Sequence, residues 1–237
     1  FTAIERREGV RYGALVPNMR GLERAEAVGV REIAVFISAS ETHNGRNLNR
    51  TIDESLQNIG EIMEALQGRD LWVRGYVSMV FGCPYEGDVA LKAIHDVTAR
   101  LFELGIHQVS LGDTVGTATP RSVSERIAEL ASDLPLDRLA LHFHDTRGTA
   151  LANIVAGLDA GVSIFDGSVG GLGGCPYAPG ASGNVATEDL VQMLHSMGIE
   201  TGIDLEALVD VAAFIESKLR KRLPGRYLRA CRGVYDS

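Results

Sequence analysis

The residues of this 237-residue chain that could do chemistry fall in a few short clusters. In Leu141-His142-Phe143-His144-Asp145, two imidazoles stand two positions apart at the end of an apolar run. Side chains alternate along an extended strand, so His142 and His144 share one face while Phe143 points to the other. Two imidazoles on one face are half of a metal site, or else a hydrogen-bonded pair with no metal. Between Gly170 and Asn184, six glycines surround Cys175. Long segments of this kind are commonly lids or binding loops, which makes Cys175 a candidate acid, base or nucleophile; the plainer reading is a linker carrying an incidental thiol. Asn184 either offers its amide oxygen to a metal or caps a helix beginning near Ala186. Asp113, in Ser110-Leu111-Gly112-Asp113-Thr114-Val115-Gly116, is a substrate acceptor, a group behind a metal shell, or a turn former. Cys83 reads as structural. His43, His95, His107 and His195 lack partners at ligand spacing. Arg46, Arg50 and the basic run 218–222 are solvated charge or a phosphate-holding patch.

These groups need elements to position them. Apolar or β-branched runs at 12–16, 32–37, 72–78, 108–111, 139–144 and 163–166 predict six strands. Ile52, Leu56, Ile59, Met63 and Leu66 recur at helical spacing, as do Ala90, Ile94, Val97, Leu101 and Leu104. Val123, Ile127, Leu130 and Leu134 mark a third helix, opened by Thr119 as N-cap and Pro120 at the first helical position. Leu151, Ile154, Val155 and Leu158 mark a fourth, and residues 204–222 predict a long amphipathic one with Leu205, Leu208, Ala212, Ile215 and Leu219 on one face. Gly29, Gly68, Gly105 and Gly161 each stand just before a strand, where a helix C-terminus favours positive φ.

Strand–helix alternation predicts a parallel α/β sheet, because each parallel neighbour needs a crossover. The polar clusters 38–49, 82–87, 112–117, 142–148 and 167–184 all follow strand C-termini, where a (β/α)8 barrel gathers its active site. No GxGxxG follows the first strand, which weakens a dinucleotide-binding sheet. A closed barrel needs eight strands, so two more are expected upstream of the six. The chain starts at Phe1, and upstream sequence is expected. One barrel domain spanning 1–237, with a helical extension at about 204–222, is the domain reading.

Composition narrows the function. A net charge of −8, from 23 Lys plus Arg against 31 Asp plus Glu, provides no basic field for nucleic acid. No apolar run approaches the roughly 18 residues of a membrane span, so no membrane partner is expected. Three scattered cysteines suit a reducing, cytoplasmic setting.

The segments VRGYVS (73–78), GCPYEG (82–87), SLGDTVG (110–116), HFHDTRG (142–148) and GGLGGCPYAPGASGNVATEDL (170–190) together resemble 3-hydroxy-3-methylglutaryl-CoA lyase, a family of TIM-barrel metallolyases. The likeness runs in order over nearly the whole chain. It implies retro-Claisen cleavage of 3-hydroxy-3-methylglutaryl-CoA to acetyl-CoA and acetoacetate with Mg²⁺ or Mn²⁺, Zn²⁺ also suiting the donors. By that likeness His142, His144 and Asn184 are metal ligands, Cys175 protonates the departing enolate, Asp113 assists proton transfer or positioning, His142 also shuttles a proton, and Glu188 supports the ligand shell. The family pattern also has an Arg-Asp pair on the first barrel strand, with no matching segment in this chain. The resemblance therefore implies a barrel whose first two strands lie outside these residues. An acyl-CoA partner and association into a dimer or higher oligomer are expected. Two alternatives stand beside this one: a lyase for a related 3-hydroxy-3-alkylglutaryl-CoA, and a catalytically silent barrel with a binding or regulatory role.

Overall fold

The computed structural model describes residues 1–174 and 183–231, so Cys175 lies outside the described residues. The described chain alternates as β1 (Gly13–Leu15), α1 (Met19–Ala27), β2 (Glu32–Ser38), α2 (Glu41–Leu48), α3 (Ile52–Ala65), β3 (Trp72–Ser78), α4 (Leu91–Glu103), β4 (Gln108–Asp113), α5 (Pro120–Leu130), β5 (Leu139–Phe143), α6 (Ala150–Asp159), β6 (Phe165–Asp166), α7 (Thr187–Ser196), α8 (Leu205–Leu219) and α9 (Tyr227–Cys231). The strands form one parallel sheet in sequential order, β1 to β6. Among the described residues no helix is long and apolar enough to cross a membrane.

The sheet is strongly curved. Neighbouring strands lie about 4.8 Å apart, so β3 and β6 would be about 14 Å apart in a flat sheet. Yet Arg74 on β3 forms an ion pair with Asp166 on β6, and Ser110 on β4 donates to the same carboxylate at 2.6 Å. The six strands make a half-barrel whose concave face is polar. On β3, Val73 and Val77 are buried toward the helices, and a Cβ at Gly75 would meet Leu101 at 3.2 Å. Arg74 and Tyr76 occupy the alternate, concave positions, where they hydrogen-bond each other at 3.1 Å. One large apolar core lies between sheet and helices, and a small second cluster joins Val209, Ala212 and Leu228.

The predicted strands and the four crossover helices match these elements. Thr119 accepts a hydrogen bond from Ser122 N, and Pro120 opens α5. Gly29, Gly68, Gly105 and Gly161 all adopt positive φ, Gly161 at 92°. The fifth crossover, α1 between β1 and β2, has no counterpart among the expected helices, and three further features differ from expectation. The stretch 38–49, marked in the sequence only as a polar cluster after a strand, contains α2, whose buried face carries His43 and Asn44 rather than an apolar stripe. The helix expected over 204–222 stops at Leu219, where Arg220 turns left-handed at φ 49°. Of the expected face, Ala212 is buried and Leu205, Leu208 and Ile215 are half-buried, but Leu219 is exposed and Val209 joins Ala212 as the other buried residue.

Asn44 ties the C-terminal end of β2 to α3. Its Oδ1 accepts from Ser38 N at 3.0 Å, and its Nδ2 donates to Arg50 O, Thr51 O and Ser55 Oγ at 2.8 to 3.0 Å. Removing a buried amide strands every partner it satisfied, at about 1–3 kcal/mol for each group left unpaired. Asn44→Ala is therefore expected to lower unfolding free energy by about 2–4 kcal/mol in urea titration. A change below about 0.5 kcal/mol would contradict this role.

Candidate functional site

His142 is the fourth residue of β5 and lies on its concave face, while Phe143 is fully buried and packs on Phe81 with ring centroids 5.7 Å apart. His144 follows on the concave side, and the two imidazole centroids are 5.3 Å apart. Tyr76 presents its ring edge-on to His142 at 6.2 Å. The alternation expected of an extended strand holds.

The third group arrives from 40 residues downstream. Residues 183–186 run as an extended ribbon between the end of β5 and Ser168: Asp145 N donates to Gly183 O at 3.1 Å, Val185 N to Phe143 O at 3.0 Å, and Ser168 N to Val185 O at 3.1 Å. This pairing sets Asn184 opposite His144 in an antiparallel bridge. The Asn184 Nδ2 group donates to Leu172 O at 2.6 Å, which turns Oδ1 the other way. Both Asn184 Oδ1 and His142 Nδ1 are buried and accept no hydrogen bond from the described protein. The capping role for Asn184 is not seen, since Ala186 is the N-cap of α7 and makes no side-chain bond.

Burial pushes His142 down to about 4, with His144 and Arg74 acting in the same direction, and the carboxylate of Asp166, its register partner on β6, and the adjoining Asn184 amide opposing. His142 is therefore a neutral imidazole near pH 7, with a lone pair to donate. Two imidazoles and an amide oxygen, with orphaned acceptors among them, fit a divalent cation. Among the described residues no three His, Cys, Asp or Glu side chains gather as a metal cluster, so the candidate donor set depends on the amide.

Asp113 ends β4 beside this site, and its backbone oxygen accepts from His144 N at 3.3 Å. Its carboxylate faces the following loop, accepting from Thr117 N at 2.9 Å and Ala118 N at 3.0 Å. Arg147 braces that loop through Val115 O and Gly116 O. Glu188 is fully buried in α7, and its Oε2 accepts from Gly170 N at 2.9 Å. It thus holds the start of the glycine-rich segment.

The remaining histidines have structural partners. His43 Nδ1 meets Ser38 Oγ at 3.1 Å, His95 meets Asp133 at 2.8 Å, His107 accepts from Val73 N at 3.0 Å, and His195 meets Thr201 at 2.9 Å. Cys83 is buried with its Sγ 3.0 Å from Ser40 Oγ. The sequence reading passed over the concave-face group of Arg74, Tyr76, Gln108, Ser110 and Asp166. Its signal was present as polar residues at every second position of β3 and β4.

A sequence profile of the family described as HMGL-like matches residues 6–215. The chain is 52% identical over 226 residues to "Hydroxymethylglutaryl-CoA lyase YngG" of Bacillus subtilis, covering 95% of this chain and 76% of that one. The crystal structure of the Bacillus subtilis HMG-CoA lyase superposes with a TM-score of 0.94, covering 98% of this chain and 78% of that one at 51% identity. A Pseudomonas aeruginosa 3-hydroxy-3-isohexenylglutaryl-CoA/hydroxymethylglutaryl-CoA lyase is 47% identical over 97% of this chain and 77% of its own length. An Acinetobacter baumannii HMG-CoA lyase in complex with coenzyme A and 3-methylmalate is 39% identical, with a TM-score of 0.92 over 100% of this chain and 77% of that one.

The electrostatics of Asp113 carry a measurable consequence. Burial outweighs the backbone donors of Thr117, Ala118 and Gly116 and the charge of Arg147, and raises its carboxyl to about 6. A carboxyl raised in the folded state stabilises fully below its unfolded value and loses that contribution as pH climbs through the folded one. Relative to Asp113→Asn, the native chain is expected to lose stability on the order of 2 kcal/mol between pH 4 and pH 7. Paired urea titrations at the two pH values check this, and a pH-independent difference would contradict it.

Proposed function

We infer the activity of this chain from its family: it belongs to the HMGL-like proteins, in the hydroxymethylglutaryl-CoA lyase branch, and is a carbon–carbon lyase that cleaves 3-hydroxy-3-methylglutaryl-CoA to acetyl-CoA and acetoacetate. The observation that carries the reading at residue level is the convergence of His142, His144 and Asn184 at the C-terminal end of the sheet, with two of their acceptor atoms unpaired.

These three side chains are assigned as ligands of a divalent cation, Mg²⁺ or Mn²⁺, with Zn²⁺ the alternative that imidazole donors also suit. Such an ion supplies polarisation of the substrate's C3 oxygen, which acidifies the C3 hydroxyl. His142 would also shuttle that hydroxyl proton, in the state in which its one free lone pair is released from the ion, since a neutral imidazole cannot ligate and accept a proton at once. The C2–C3 bond then breaks, C3 becomes the ketone carbon of acetoacetate, and the electron pair passes to the acetyl-CoA enolate. Cys175 returns a proton to C2 from its thiol, completing acetyl-CoA. Asp113 serves by positioning: its carboxylate ties down residues 117 and 118 beside the ligand-bearing end of β5. Glu188 supports the ligands from behind through Gly170.

The wider assignment follows the same reading. The half-barrel is taken as part of an eight-stranded barrel in one domain, supported by the half-exposed concave side chains of β2 and β3. An acyl-CoA ligand fits the coenzyme A complex of the Acinetobacter baumannii lyase. Homo-oligomerisation is favoured by exposed Val211 and Phe214 on α8, and a cytoplasmic setting by the sparse cysteines. A second substrate reading, a longer C3 substituent, is motivated by the 47% identity to the isohexenylglutaryl-CoA lyase.

Acetoacetate release from 3-hydroxy-3-methylglutaryl-CoA, assayed with and without chelator, tests the assignment, and release that continues unchanged under chelation would overturn the metal's part. His144→Ala is expected to weaken Mn²⁺ binding by at least about tenfold in titration. Cys175→Ala is expected to cut kcat by about 10²–10⁴ while leaving Mn²⁺ affinity within about twofold. Loss of the metal in the cysteine variant would contradict the division of roles.

A further inference from the structure

The chain beyond α8 crosses back over the base of the glycine-rich segment, a contact that the lyase reading does not use. Leu223 is buried, and a methyl group at Gly170 would overlap its Cδ1. Pro224 Cγ lies 3.1 Å from where a Gly171 Cβ would stand, and Gly225 N donates to Gly170 O at 3.4 Å. Both Gly170 and Gly171 adopt positive φ, 66° and 69°, so this tight turn accepts only glycine and lets the strap lie directly on its backbone.

The strap is itself pinned from two helices. Glu216 of α8 accepts from Leu223 N at 2.8 Å, and Asp189 of α7 accepts from Arg226 N at 2.9 Å and Tyr227 N at 2.6 Å. On the inner side, the turn under the strap meets the ribbon that carries Asn184. A Cβ on Gly183 would collide with Gly171 O, and the Asn184 amide nitrogen donates to Leu172 O at 2.6 Å. The route from strap to amide is thus Leu223 and Pro224, then residues 170–172, then the Asn184 side chain. An amide has two faces to present, and the bond to Leu172 O decides which one meets the imidazoles.

We propose that Leu223, with Pro224 and Gly225, is a positioning clamp that holds the turn at residues 170–172 and through it aims the Asn184 amide oxygen at the site. The proposal rests on the reading of Asn184 as a cation ligand. Packing that fixes a ligand before the cation arrives lowers the ordering cost of binding. The clamp acts on the site only through Asn184, so its removal and the loss of Asn184 should not add.

The test is a double-mutant cycle in the full chain, with Mn²⁺ as the probe. Leu223→Ala is expected to weaken Mn²⁺ binding about three- to tenfold and to speed amide hydrogen exchange at residues 168–172 and 183–186, leaving β3 protected. Leu223→Met, which keeps the volume, should restore both. Asn184→Ala made in the Leu223→Ala background should weaken Mn²⁺ binding no further than Asn184→Ala alone. Gly225→Ala removes no core volume and presses a methyl within 2.6 Å of Glu188 Oε1, so it displaces the strap should Leu223→Ala not fold, and it is expected to act in the same direction. Additive effects of the two sites on Mn²⁺ affinity, or unchanged exchange at residues 168–172, overturn the clamp. Asn184→Ala alone separates the two failures: unaltered Mn²⁺ affinity in that variant is a failure of the ligand reading.

Discussion

Everything at the site depends on the period of an extended chain. Because β5 sends alternate side chains to opposite faces, His142 and His144 reach the concave side together while Phe143 enters the apolar core. A shift of one residue would bury both imidazoles among the helices and expose the phenyl ring. The register of β5 against β4 is held by five residue pairs from Val109–Leu139 to Asp113–Phe143, and by the leucines flanking them. Core packing and site geometry are thus one constraint, and the hydrophobic free energy that buries Leu139, Leu141 and Phe143 also aims the two rings.

The second constraint is longer in range. The ribbon 183–186 lies against the end of β5 on one side and Ser168 on the other, so Asn184 is fixed by backbone pairing from two directions. Below the imidazoles, Arg74, Asp166, Ser110 and Gln108 form a hydrogen-bonded layer that keeps charge inside the half-barrel compensated. In that setting His142 stays neutral, which is the state a ligand or proton acceptor requires. The site therefore combines rigid donors on strands with a glycine-rich segment whose first turn is bonded to buried Glu188.

Much of this was legible in the sequence, for reasons that differ by residue. The strands and crossover helices announce themselves through apolar periodicity, and Pro120 with Thr119 marks a helix start from local chemistry alone. The shared face of His142 and His144 needs only the two-residue period. Helix α2 escaped because its buried positions are His43 and Asn44, satisfied by hydrogen bonds rather than by apolar contact. The preference of Asp113 for Thr117 N and Ala118 N depends on how a loop folds back, and periodicity carries no trace of that. The same holds for Leu223 over Gly170, a contact between residues 53 positions apart. The identity of the chemistry came from motif likeness over the whole chain, which two imidazoles by themselves do not specify.

The central claim is that His142, His144 and Asn184 share one divalent cation. Anomalous diffraction from crystals soaked in Mn²⁺ addresses it without reference to turnover. The account predicts a single strong peak within about 2.0–2.4 Å of one nitrogen of each imidazole and of Asn184 Oδ1. A map with no peak between these side chains, or with the ion bound elsewhere while Asn184 Oδ1 faces only solvent, would contradict it.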